Sequence, residues 1–241
     1  MSLPEDSPAA VPAPRGPDQP RDYRLLLPDG WFRIPLEPEA RDRSVNALVE
    51  QQFEGVDNAP HIKEELRRDL RKRASKAYRN GGIELYLSLQ QAGPVTVPAS
   101  LLVTLAPLPH RGGLPLEALA QRLSEAKNTV EVGVGELPSG PAVRAISRQR
   151  GPVDEETGRS DISVGVDYHL PVPGAGAFLL LSFSTPLEPL EEAMTGLFDA
   201  VVDTFVWVGA ESPERSEGRG TDGGPPNNSL PTEADEERTD A

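Results

Sequence analysis

Residues Ile162-Ser163-Val164-Gly165-Val166-Asp167-Tyr168-His169-Leu170, then Gly174-Ala175-Gly176, then Phe178-Leu179-Leu180-Leu181-Ser182-Phe183-Ser184-Thr185, decide the fold. In the first run Ile162, Val164, Val166 and Tyr168 alternate with Ser163, Gly165, Asp167 and His169, the two-residue period of a strand with unlike faces. The Gly-Ala-Gly triplet before a second β-rich run marks a hairpin. Upstream, residues 129–136 and 142–150 flank Leu137-Pro138-Ser139-Gly140, a second turn, and an acidic Gly/Pro loop at 151–161 separates the two pairs. Adjacent strands with short turns predict an antiparallel sheet rather than βαβ crossovers.

Working toward the N-terminus, the period changes between helix and strand. Ile83, Leu85, Leu87 and Leu89 alternate with Glu84, Tyr86, Ser88 and Gln90, and residues 100–108 form a more uniformly apolar strand. Trp31-Phe32-Arg33-Ile34, after the turn Pro28-Asp29-Gly30, reads as a short edge strand closed by Pro35. Helical spacing covers about 38–53, 114–127 and 187–206, the last through Leu190, Met194, Leu197, Val201 and Phe205. The sharpest helix lies between Asp57 or Asn58 as N-cap, with Pro60 in its first turn, and Gly81-Gly82 as its stop. The order strand, two helices, two strands, helix, four strands, helix predicts an α+β fold: an α/β/α sandwich around an antiparallel sheet of six or seven strands.

The ends differ in composition from this core. Residues 1–22 are rich in Pro and Ala, and residues 210–241 hold nine acids and three Arg with Leu230 as the one large apolar side chain. Such segments bury too little surface to offset their ordering entropy, so both are expected to be disordered tails around one globular domain at 23–209. The formal net charge of −14 opposes non-specific binding to nucleic acid or anionic membranes. With no cysteine, disulfides, thiolate metal sites and cysteine nucleophiles are excluded. The N-terminus, Met1-Ser2-Leu3-Pro4-Glu5-Asp6, has neither a basic nor an apolar leader region, and no apolar run reaches the ~18 residues of a membrane helix. The expectation is a cytoplasmic protein without membrane insertion. Arg outnumbers Lys 20 to 4 among abundant Ala, Gly and Pro, which resembles high-GC bacterial coding, actinobacterial in particular.

Three segments carry a family resemblance: Leu27-Pro28-Asp29-Gly30-Trp31, Leu137-Pro138-Ser139-Gly140-Pro141-Ala142-Val143-Arg144 and Phe198-Asp199-Ala200-Val201-Val202-Asp203-Thr204-Phe205. With the element order they resemble the PsbP-like fold of photosystem oxygen-evolving proteins and Mog-type Ran-binding proteins, and actinobacterial proteins of that fold such as LpqN-type lipoproteins. The lipobox cysteine of those lipoproteins is missing here, so their envelope location is not implied. The resemblance implies a non-enzymatic protein-interaction or adaptor role and, through related actinobacterial proteins, an association with type VII secretion.

The chemistry-bearing residues are sparse. His61, His110 and His169 stand apart, without an HExxH arrangement, and no catalytic, cofactor or metal site is expected. Asp167 and His169 share a strand face and are the least improbable catalytic pair, although an exposed strand pair is the simpler reading. They are the basis of the alternative function, a small-ligand or hydrolytic site between sheet and helices. Gly133-Val134-Gly135 lacks a third glycine and a following helix, so these glycines are assigned to close backbone packing. Asp154-Glu155-Glu156 lacks the spacing of a calcium loop and reads as a solvated tip.

The helix at 61–79 is the most functional-looking feature. Arg67, Arg68, Arg71, Lys72, Arg73, Lys76 and Arg79 crowd its second half, on a chain that is acidic overall. Arg67, Arg68, Arg71, Lys72, Lys76 and Arg79 are the candidate protein-binding residues, for an acidic partner or the chain's own acidic C-terminal tail. The competing reading is a solvated charged face, part of which serves the helix macrodipole. Trp31 and Phe32 would be neighbouring anchors if exposed, but core burial is expected for both.

Overall fold

The computed structural model describes residues 19–55, 60–88, 91–92, 95–108, 114–151 and 160–209. The bulk of both predicted tails, the helix caps Asp57 and Asn58, Leu89 and Gln90, His110 and the acidic tip at 154–156 lie outside these residues.

The elements are β1 (Asp22–Arg24), β2 (Trp31–Pro35), α1 (Pro38–Gln52), α2 (Pro60–Arg79), β3 (Gly82–Ser88), β4 (Gln91–Ala92), β5 (Val95–Thr96) and β6 (Ser100–Pro107). They continue with α3 (Leu116–Ser124), β7 (Thr129–Leu137), β8 (Gly140–Arg150), β9 (Ile162–Pro171), β10 (Ala177–Thr185), a 3-10 turn (Glu188–Leu190), α4 (Glu191–Val202) and β11 (Val206–Val208). Seven strands form one antiparallel sheet in the order β2-β3-β6-β10-β9-β8-β7. The α+β fold and the seven-stranded antiparallel sheet follow the strand pattern of the sequence.

The register sorts the side chains. On one face Arg33, Tyr86, Leu101, Phe183, Val166 and Ile146 fall in a row across six strands. Next to it run Glu84, Val103, Leu181, Tyr168 and Arg144. This face carries the main core, closed by Met194, Phe198, Val201 and Val202 of α4 and by Phe205. Phe198 stacks on Phe183 at 4.7 Å between ring centroids, and Tyr168 meets Phe183 edge-on at 6.0 Å.

On the opposite face, Phe32, Ile34, Leu85 and Leu87 pack with Val45, Leu48 and Leu70 of α1 and α2 at the β2 end of the sheet. At the other end α3 packs on β7 and β8, where Val143 and Ala145 are buried. Among the described residues, helices thus cover the second face at its two ends and not over its middle.

Two expectations need correction. The last helix was expected to reach Val206, but α4 stops at Val202 and Val206–Val208 pairs with Asp22–Arg24. Thr204 helps end the helix: its hydroxyl donates to the Val201 carbonyl at 2.7 Å and accepts from the Leu26 amide at 2.9 Å. Phe205 is fully buried, stacked on Tyr23, so it extends the apolar period without belonging to the helix. The same pairing brings residues counted with the N-terminal tail into the fold, with the Arg21 amide bonded to the Val208 carbonyl at 2.9 Å. Second, the glycines of β7 do not serve close packing within the chain, since a Cβ on Gly133 or Gly135 would meet nothing within 4 Å. Close packing falls on Gly82 instead, where a Cβ would lie 2.8 Å from both the Ala77 carbonyl oxygen and Leu36 Cδ1.

Candidate functional site

The uncovered middle of the second face forms the floor of an open trough of about 760 Å³, with α2 as one wall. The floor is low because its side chains are small: Ser147, Gly165, Ser184 and Ser100 fall in one row across β8, β9, β10 and β6. A Cβ on Gly165 would stand 2.9 Å from Ser147 Oγ, so the row is already filled at floor level. Asp167 and Ser182 follow in the next row, and Gln149 and Ser163 extend the polar half. The α2 side is apolar, built from Leu66, Leu70, Ala77, Leu85, Leu87 and Leu102, with Asp69 and Arg73 on the helix also lining it. The five leucines are half-buried, leaving apolar surface open to solvent.

The helical period divides the cations of α2 into sets. Arg67 and Arg71 turn toward α1: Arg67 pairs with Glu50, and with Glu64 at 3.4 Å, while Arg71 donates to Asn46 at 2.8 Å and lies 3.8 Å from Asp42. Lys63 joins Glu50 at 3.1 Å, and these bonds hold Glu50 below the usual carboxylate range, the Lys63 bond contributing most. Arg68, Lys72, Lys76 and Arg79 recur three or four positions apart on the outward side. Arg68 approaches Glu65 at 3.9 Å, whereas exposed Lys72, Lys76 and Arg79 have no acidic partner among the described residues. Arg73 is exposed and unpaired in the same sense, and brings the row to the trough.

Asp167 and His169 do not form a catalytic pair. Asp167 lines the trough, but His169 is not part of its lining and no hydrogen bond joins them. The His169 ring packs edge-on against Phe178 with Nε2 buried and without a partner among the described residues. Burial lowers its pKa against the opposing pull of Asp167, which keeps it neutral at pH 7. His61 is exposed at the start of α2. Trp31 is half-buried against the main core and Phe32 against the second cluster, so neither is an exposed anchor. Among the described residues no group of three or more His, Cys, Asp or Glu could hold a metal ion.

Two polar clusters on the α4 face escaped the sequence reading. Glu84, on the side of β3 read as polar, is 7% exposed. Its Oε2 accepts from Tyr23 and Tyr86, each at 2.6 Å, and its Oε1 accepts from Arg33 Nε at 2.9 Å and from Arg33 Nη2. Burial pushes this carboxyl up, but the bonds from Arg33, Tyr23 and Tyr86 outweigh it and its pKa falls below the ordinary 4.5. Asp199 on α4 accepts from Arg144 at 2.7 and 3.0 Å and from the Tyr168 hydroxyl, beside a cavity of only about 100 Å³. Burial, then the carboxylate bonds, raises the pKa of all three tyrosines. Both oxygens of each carboxylate accept hydrogen bonds, and burial with those bonds favours the protonated form of all three phenols.

Fold and site together describe an α+β sandwich with an open, part-apolar trough beside Lys72, Arg73, Lys76 and Arg79, which have no acidic partner among the described residues. No family model and no curated protein matches the chain. Among solved structures it resembles LpqN of Mycobacterium tuberculosis, involved in cell envelope biogenesis, at 12% identity over 80% of this chain and 86% of that one, with a TM-score of 0.40. It also resembles the Ran-binding protein Mog1p of Saccharomyces cerevisiae, at 14% identity over 51% of this chain and 77% of that one, with a TM-score of 0.34. Likenesses of this size carry no function across. No helix among the described residues is long and apolar enough to cross a membrane.

Proposed function

We propose that this protein is a non-enzymatic interaction module that docks an acidic, amphipathic segment of a partner protein along α2 and the adjoining trough. The observation carrying the proposal is the coincidence of two unsatisfied surfaces. Leu66, Leu70, Leu85, Leu87 and Leu102 leave apolar area half-open, and Lys72, Arg73, Lys76 and Arg79 stand beside it without acidic partners among the described residues. A partner helix or extended segment with an apolar side for the leucines and acids toward α2 matches both. Asp69 and Asp167 then select against acids placed over the floor, which fixes orientation more than affinity.

Of the six cations singled out from the sequence, Lys72, Lys76 and Arg79 are the proposed contacts. Arg68 is a peripheral one, while Arg67 and Arg71 hold α2 against α1. The triple variant Lys72→Glu/Lys76→Glu/Arg79→Glu should weaken partner binding about 10–150-fold, at ~0.5–1 kcal/mol for each reversed surface charge. Titration calorimetry with the partner recovered from the native cell checks this. Unchanged affinity would remove α2 from the interface.

The polar half of the trough favours a second reading, a small polar ligand held by Ser163, Asp167 and Ser182. Under that reading Asp167→Asn abolishes ligand-induced thermal stabilisation and the α2 triple variant does not. A cytoplasmic location and an association with type VII secretion components belong to the proposal as expectations from the sequence. Cell fractionation and co-purification test them.

A further inference from the structure

We propose that a second copy of this chain pairs with β7, joining two seven-stranded sheets edge to edge across a two-fold axis. Among the described residues β7 is the terminal strand of the seven-stranded sheet, bonded to β8 alone. It is nine residues long, roughly 30 Å of strand. The opposite edge, β2, has five residues and ends at Pro35, a protected edge, whereas β7 contains no Pro, Lys or Arg and its one irregularity, between Thr129 and Glu131, leaves Glu131 to Leu137 in regular register. Val130 and Val134 are 55% and 45% exposed on it.

The sequence of β7 tolerates pairing with itself. With a two-fold axis normal to the sheet, opposed residues must share a face, so antiparallel pairs have an even sum of residue numbers. An axis at Gly133 sets Val132 against Val134 of the second copy twice over, and each Glu131 against a Gly135. The two acids of the strand, Glu131 and Glu136, cannot face each other in this register. Glu131 is moreover paired at home with Arg144 at 3.1 Å. Gly133 and Gly135 weaken a strand and meet nothing within 4 Å in their own chain. At the axis they let Gly133 face its own copy and leave room for the Glu131 side chain.

The neighbouring layer is incomplete in the same place. α3 carries Leu116, Leu119, Ala120 and Leu123 at helical spacing, and none of its residues is buried. The axis would bring a second α3 to the same side of the extended sheet, so that both helices gain cover at the edge where each lacks it. With a net charge of −14 on each copy, association should tighten as salt rises.

Sedimentation equilibrium of the full chain, from ~1 to ~300 µM at low and high salt, tests this. The expected result is a monomer–dimer equilibrium whose dissociation constant falls with salt. Val134→Lys, which guards an exposed edge, should weaken the dimer at least ~30-fold while circular dichroism stays unchanged. Hydrogen exchange of β7 amides should slow at least ~10-fold between the ends of the concentration range. A monomer throughout, a dimer indifferent to Val134→Lys, or β7 exchange independent of concentration would each overturn the proposal.

Discussion

Glu84→Gln is the perturbation that most directly tests the polar side of the core. The substitution keeps shape and removes charge, and it puts an amide NH2 where one carboxylate oxygen accepted bonds from Arg33 or from Tyr23 and Tyr86. A charge-assisted bond contributes ~1.5–3 kcal/mol against ~0.5–1.5 for a neutral one, so each tyrosine bond loses about 1 kcal/mol. The Arg33 side chain is 60% exposed, which cuts its share toward the ~0–1 kcal/mol of a surface pair. The sum is about 2–3 kcal/mol at pH 7, or a Tm lower by roughly 4–12 °C for a domain of this size. The pH dependence fixes the cause. Because the folded-state pKa of Glu84 lies below its ordinary 4.5, its stabilisation is present above that value and disappears as pH falls through the lower folded value. Thermal melts followed by circular dichroism should therefore show a gap between wild type and variant that is full at pH 7 and narrows below about pH 4.5. A gap under ~2 °C at pH 7, or one that does not change with pH, would refute the reasoning.

Three further outcomes follow from the packing. Gly82→Ala drives a Cβ to 2.8 Å from the Ala77 carbonyl oxygen and Leu36, and should cost about 1–3 kcal/mol in urea denaturation. Phe198→Ala removes the ring stacked on Phe183 at the centre of the main core and should cost about 3–5 kcal/mol, much of the stability of a typical domain. Arg67→Glu/Arg71→Glu places acids against Glu50 and Asp42 and should lower Tm more than Lys72→Glu/Lys76→Glu, whose side chains have no acidic partner among the described residues; differential scanning calorimetry ranks the pair.

The strands and their antiparallel order were legible because hairpin turns and two-residue alternation are local signals. The α2 cations were legible as a charged run, but their division was not. Whether Arg67 meets solvent or Glu50 depends on where α1 lies. Alternation in β3 suggested one dry and one wet face, and the sheet instead buries both; Glu84 pairs with an Arg and two Tyr from three strands that only the tertiary register assembles. Phe205 satisfied a helical period because burial, not helix, sets that position. The trough had a faint signature: Ser163, Gly165 and Asp167 on one strand and Ser182 and Ser184 on the next. Small side chains on neighbouring strands make a depression only when no helix covers them, and that is not written in any one segment.

Site-specific photo-crosslinking of the full chain in the native cell shows whether a partner segment lies along α2 and the trough. The crosslinker is placed in turn at Arg73, at Ser182 and at Glu188, which is exposed outside the trough. Arg73 and Ser182 should capture the same protein through an acid-rich segment, Glu188 should not, and Lys72→Glu/Lys76→Glu/Arg79→Glu should cut both crosslinks about 10-fold or more in a chain that still folds. Capture through Glu188 alone, or crosslinks at Arg73 and Ser182 that survive the charge reversal, would contradict that placement.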